Sequence, residues 1–146
     1  AASEKLIDNV KLLLRYNADV NLRKTSQSTV LHMAAVGGSA ELCKLLLDDH
    51  AADPNVKDDT NWTPLLFAVQ DGHEEMAKVL LDRGANINDR SDDSVTAIFL
   101  AAQNGYFSIV DLLLAQDADF SIARDDGVTP FDKACQNGHI DIVKLL

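Results

Sequence analysis

Thr63-Pro64-Leu65-Leu66-Phe67-Ala68-Val69 decides the fold, because this chain of 146 residues writes the same pattern three more times. Thr29-Val30-Leu31-His32-Met33-Ala34-Ala35 stands before it. Thr96-Ala97-Ile98-Phe99-Leu100-Ala101-Ala102 and Thr129-Pro130-Phe131-Asp132-Lys133-Ala134-Cys135 stand after it. The threonines are 34, 33 and 33 residues apart, and a glycine follows each by nine: Gly38, Gly72, Gly105 and Gly138. A second apolar block comes next in every copy, from Leu42 to Leu47, Met76 to Leu81, Ile109 to Leu114 and Ile142 to Leu146. The block also occurs alone near the start, from Val10 to Leu14. Self-similarity at such a period is the mark of a stacked repeat architecture.

Each copy predicts two short helices. The threonine hydroxyl can accept an orphan backbone N–H at a helix start. Pro64 and Pro130 follow it directly, where a missing N–H costs nothing. Ala34, Ala35, Ala68, Ala101, Ala102 and Ala134 let neighbouring helices approach closely. The glycine ends the first helix with positive φ. Leu45, Leu46, Ile109, Leu112 and Leu113 give the second helix a broad apolar face. The Asp- and Asn-rich stretch between copies predicts an extended loop with a tight turn.

The Thr-Pro-Leu-His-x-Ala-type core and the Leu-Leu-Leu-x-x-Gly-Ala-x-x-Asn pattern, at a period of 33, resemble the ankyrin repeat. The resemblance covers essentially the whole chain, as one domain over 1–146. It divides into a partial unit at 1–23, units at 24–57, 58–90 and 91–123, and a truncated unit at 124–146. The implied fold is all-α: a solenoid of stacked helix-turn-helix units with projecting hairpin loops. Val30 and Ala97 replace the family's proline, and of the family's histidines only His32 is kept. Asp132 stands at the histidine position of the last unit. The second unit is one residue longer, which predicts a distorted turn around Ala51-Ala52-Asp53-Pro54-Asn55.

Composition narrows the function. Hydrophobic residues make up 47% and aromatics 5%, so the core is built from aliphatic residues and alanine rather than rings. Thirteen Lys and Arg against 23 Asp and Glu leave a net charge of −10. That charge disfavours nucleic acid and anionic membrane surfaces. No apolar run approaches the roughly 18 residues of a membrane span. The start, Ala1-Ala2-Ser3-Glu4-Lys5, has neither an initiator Met nor an apolar leader. The chain stops at Leu145-Leu146 without a polar capping unit, which points to a segment excised from a longer protein.

The resemblance implies a partner surface on the concave face, formed by the loop tips and the first helices. The matching tip positions are Asp59, Trp62, Asp92, Asp93, Asp125 and Asp126, with Val95 and Val128 continuing a small apolar strip beside them. Gln70, Asp71, Gln103 and Asn104 add the ends of the first helices. Asp59, Asp92 and Asp125 recur every 33 residues and form a line of carboxylates whose summed field draws cations. Arg23 and Lys24 interrupt the acidic pattern at the first tip. Trp62 is the only tryptophan, and Trp is enriched at interface hot spots. Asp is also common in turns for local reasons, so the acidic line has a purely structural explanation beside the functional one.

The expected function is a non-catalytic interaction module holding a protein or peptide, of basic character, in its groove. The alternative is a scaffold or regulatory segment of a larger enzyme or channel. The expected state is a monomer, with uncapped ends as the route to self-association. No cofactor or metal is expected. His73-Glu74-Glu75-Met76-Ala77 has alanine where a zinc-protease helix needs its second histidine, and no nucleophile–base pair can be assembled. Cys43 and Cys135 lie three units apart, beyond disulfide reach. They read as small core residues of a reducing compartment, hence an intracellular protein, cytoplasmic or nuclear. Asn21 and Asn88, each eight residues after a leucine, are similar to sites of asparaginyl β-hydroxylation in ankyrin repeats. The competing explanation is that each side chain ties its own turn.

Overall fold

A computed structural model describes residues 2–16 and 18–146. Helix α1 spans Ala2–Arg15. Four pairs follow: α2 (Val30–Val36) with α3 (Ala40–Asp48), α4 (Pro64–Gln70) with α5 (Glu74–Asp82), α6 (Ala97–Asn104) with α7 (Phe107–Leu114), and α8 (Pro130–Asn137) with α9 (Ile140–Leu145). No strand occurs among the described residues. The first members, α2, α4, α6 and α8, touch in succession and form an inner row. The second members, α3, α5, α7 and α9, form an outer row.

The threonines start the inner helices as the pattern predicts. Thr63, Thr96 and Thr129 each accept the N–H of the residue three further on, at 3.3, 3.3 and 3.1 Å. Pro64 and Pro130 hold the first helical position. Gly38, Gly72, Gly105 and Gly138 close the inner helices with φ between 64° and 79°. A side chain at three of them would also collide with the next unit. An added Cβ at Gly38 would lie 2.7 Å from the His73 ring, at Gly72 2.9 Å from Tyr106, and at Gly105 2.7 Å from His139.

The core is a set of columns. Ala35, Val69 and Ala102 are fully buried between inner helices, and Leu46, Leu80 and Leu113 between the rows. Burying one such leucine contributes about 1.5–3 kcal/mol. Cys43 is in this core, where burial pushes its thiol up to about 12. Cys135 corrects the expectation: it shares the column of Ala35, Val69 and Ala102 but is exposed, because no helix of the described residues lies beyond α8 to cover it.

The longer unit is also placed differently from expectation. In three other units the N–H five residues after the leucine of this column returns to it: Ala18 to the Leu13 carbonyl, Ala85 to Leu80 and Ala118 to Leu113. In the second unit Ala52 bonds to Leu46, six residues back, at 3.0 Å. The extra residue is therefore absorbed between Leu46 and Ala52. Ala51 takes up the bend with φ 52°, where Gly84 stands in the next unit.

Candidate functional site

The loop tips repeat one turn four times. Lys24, Asp58, Ser91 and Arg124 each donate their N–H to the carbonyl four residues on, at 2.9 to 3.1 Å. The residue three further on returns an N–H and lies in the left-handed region: Gln27, Asn61, Ser94 and Gly127, at φ 60°, 58°, 58° and 81°. This is the three-residue hairpin with a left-handed closing residue. Adjacent tips are joined by single backbone bonds, from Asp59 to the Ser26 carbonyl, Asp92 to Thr60 and Asp125 to Asp93. Asp59, Asp92 and Asp125 thus occupy equivalent, exposed places.

Between the tips and the inner helices lies a cavity of about 570 Å³. Trp62, Phe67, Val95, Phe99 and Leu100 form its apolar wall, with Val36 at one edge. Thr60, Gln70, Gln103, Asp71, Asp93 and Arg124 supply its polar groups. A second cavity of about 310 Å³ shares Val36 and Phe67 with the first and carries Lys24, Ser26, Ser28, His32 and Met33. The two form one groove crossing the inner row.

The sequence places Trp62 at an outward tip, and the structure turns it onto the groove wall. It is half-buried, its ring 5.0 Å from the Phe67 ring. Its backbone N–H donates to Asp58 Oδ1, which also accepts the backbone N–H and hydroxyl of Thr60, all at 2.9 Å. Its carbonyl lies 3.1 Å from His32 Nε2. On the other side of that ring, Nδ1 accepts the N–H of Thr29 at 3.0 Å. With Nδ1 occupied as an acceptor, the proton resides on Nε2 and points at Trp62. Burial lowers the pKa of His32 below the ordinary 6.5, which keeps the ring neutral in that form.

The structure gathers only part of the predicted surface into the groove. Trp62, Gln70, Asp71, Asp93 and Gln103 line it. Asp59, Asp92, Asp125 and Asp126 stand outside it, exposed on the rim. Asp92 accepts from Asn61 Nδ2, and Asp126 accepts the Val128 N–H at 3.1 Å. Asn104 donates to the Gln70 carbonyl at 3.2 Å, a tie that Asn137 repeats on Gln103 at 2.8 Å. Val95 is not part of an outer apolar strip. It is 8% exposed, because its turn folds it under the tip and onto the groove wall.

Phe67, Phe99, Leu100 and Arg124 escaped the sequence reading, and two of them had a signal. Phe67 is the fourth residue after its threonine, in the column of Met33 and Leu100, an apolar series at a fixed offset that could have flagged it. Arg124 is the fifth residue before its threonine, where Asp58 and Ser91 receive turn N–H groups. Its guanidinium carbon lies 5.6 Å from the centre of the Phe99 ring.

The candidate modification sites have different surroundings. Asn88 Oδ1 accepts the Asp119 N–H of the next loop at 2.9 Å, as Asn55 Oδ1 accepts that of Asn86 at 2.6 Å. Asn21 is exposed, and its own N–H is held by Asp19 at 2.9 Å. Among the described residues no cluster of His, Cys, Asp and Glu has a metal-binding arrangement, and no helix is long and apolar enough to cross a membrane.

A family model described as ankyrin repeats, in three copies, matches residues 1–91 and 89–146. The chain is similar to the 26S proteasome non-ATPase regulatory subunit 10 of Dictyostelium discoideum, 34% identical over 82 residues, which are 56% of this chain and 35% of that protein. It is similar to the mouse protein phosphatase 1 regulatory subunit 27, 36% identical over 74 residues, covering 46% of this chain and 47% of that one. It also resembles the human transient receptor potential cation channel subfamily A member 1, 31% identical over 85 residues, 58% of this chain and 8% of the channel. The chain thus spans less than half the length of each of these relatives.

Proposed function

The chain belongs to the ankyrin-repeat family, whose repeats are generally protein-interaction modules, and from that premise we propose that it holds a protein or peptide of basic character in its concave groove without catalysing a reaction. The observation that carries the reading is the cavity between tips and inner helices, walled by Trp62 and Phe67 and bordered by Asp71 and Asp93. An apolar wall with few polar groups suits an anchoring side chain. The exposed carboxylates of Asp59, Asp92 and Asp125 on the rim steer a cationic segment towards it. Two relatives named as regulatory subunits favour a regulatory role inside the cell.

The test compares the wild type with the double variant Trp62→Ala, Asp92→Lys in pulldown and titration. Binding of a captured partner weakens at least tenfold in the variant, and in the wild type falls as salt rises. Equal retention by both proteins overturns the groove assignment.

The coverage of relatives supports a second reading, in which this stack is the scaffold or regulatory segment of a larger enzyme or channel. Asn21 and Asn88 are proposed acceptors of β-hydroxylation, with exposed Asn21 the better placed of the two. Gain of one oxygen atom at Asn21 in protein isolated from cells is the expected mass signature; its absence at both residues removes the proposal.

A further inference from the structure

Arg124 makes the groove electrostatically mixed, and its pairing is incomplete. The other ion pairs among the described residues run from 2.9 to 3.3 Å, and Arg83 grips Asp48 with two bonds of 3.0 and 2.9 Å. Arg124 reaches only Asp126, at 3.5 Å. That is longer than a good charge-assisted bond, about 2.7–2.9 Å. Its Nε is buried with no hydrogen-bond partner. At this turn position Asp58 and Ser91 have acceptor oxygens that take backbone N–H groups. Arginine has none, so its side chain leaves the turn. It lies over Phe99 on the groove wall, with a third of its surface exposed.

We propose that Arg124, stacked on Phe99, is a subsite for a carboxylate side chain of the bound segment, placed next to a large apolar residue that fills the Trp62–Phe67–Leu100 wall. This rests on the groove reading above and deepens it. A guanidinium already stacked on a ring presents a planar fork that matches a carboxylate. Asp126 is its weak internal competitor. Asp71 and Asp93 border the same cavity, so residues flanking the carboxylate are neutral or basic. The occupant is therefore an extended peptide with one acidic residue beside its apolar anchor, inside a segment of otherwise positive character.

The experiment pans a displayed library of random peptides against the wild-type chain. The selected peptides are then titrated against Trp62→Ala, Arg124→Gln and Asp126→Asn, with helix content checked by circular dichroism. The turn bonds of Arg124 are made by its backbone, so Arg124→Gln leaves the tip in place. The selected peptides carry Asp or Glu within a few positions of a large apolar residue. Arg124→Gln weakens them about tenfold or more, as expected for a partly desolvated charge pair. Asp126→Asn tightens them severalfold by removing the competitor. Peptides with no acidic preference, or unchanged by Arg124→Gln while lost in Trp62→Ala, overturn the subsite and leave the groove standing. Recovery of no binder, or of peptides indifferent to Trp62→Ala, overturns both.

Discussion

The second unit and the last begin their inner helices alike, at Thr29 and Thr129, and close the first turn with different chemistry. In the second unit the His32 ring bonds the Thr29 N–H at one nitrogen and the Trp62 carbonyl of the next unit at the other, at 3.0 and 3.1 Å. In the last unit Asp132 accepts the N–H and hydroxyl of Thr129, at 3.0 and 2.7 Å, and returns its own N–H to that hydroxyl at 3.1 Å. The histidine is buried and joins two units, whereas the aspartate is exposed and serves only its own. The two units between them carry Leu66 and Phe99 at this place and keep only the threonine cap. One helix start can therefore be a tie along the stack or a purely local cap, depending on a single side chain.

The largest expected effect breaks the tie itself. His32→Ala empties a buried site and strips both the Thr29 N–H and the Trp62 carbonyl of their partner. The loss is about 2–4 kcal/mol in denaturant unfolding. Asp132→Ala, in contact with water, shifts the midpoint much less. Equal shifts would mean that His32 carries no inter-unit bond of consequence.

Acid separates the two starts by pH. Burial holds His32 below 6.5, so the unfolded chain takes this proton more readily than the native one. The stability it contributes is complete above about pH 6.5 and is lost as the pH falls from there towards the folded value. Bonds from the Thr129 hydroxyl and backbone hold Asp132 below the ordinary 3.8, so its contribution is present above 3.8 and is lost only in stronger acid. His32→Gln, a neutral capping-box residue, flattens the decline just below pH 6.5 and leaves the lower window unchanged. A wild-type profile flat between pH 7 and 5 would contradict the lowered histidine.

The smallest effect concerns the tips of the same two units. Gln27 and Gly127 share one left-handed place, at φ 60° and 81°. Gln27→Gly relieves its strain for a gain of about 0.5–1 kcal/mol. Gly127→Gln costs a similar amount. Melting temperatures that fail to move in opposite directions would show the two turns to be unequal.

The repeat made most of the fold legible. Threonine caps, Pro64 and Pro130, and the helix-ending glycines are local signals, and local signals read directly from sequence. The rim was legible for the same reason, since Asp59, Asp92 and Asp125 recur at one offset. The groove was only half legible. Trp62 lies against Phe67, which comes from its own unit's helix, and Arg124 reaches Phe99 from the next unit's tip. The second contact depends on how one unit sits on another, which a column of offsets within one repeat does not contain; the first depends on how a tip folds back onto its own helix, which the offsets do not state either. Val95 was misplaced on the outside because its own turn folds it under the tip, and the extra residue of the second unit was placed too late.

The order of its residues alone determined that this chain is a pile of two-helix layers, because capping, proline placement and apolar spacing act within a few residues of one another. Which side chains share the groove, which histidine bridges two layers, and that a cation sits among the carboxylates were decided by tertiary structure. Those arrangements arise when separate units meet, and their distances are set by the contact between layers rather than by neighbours along the chain.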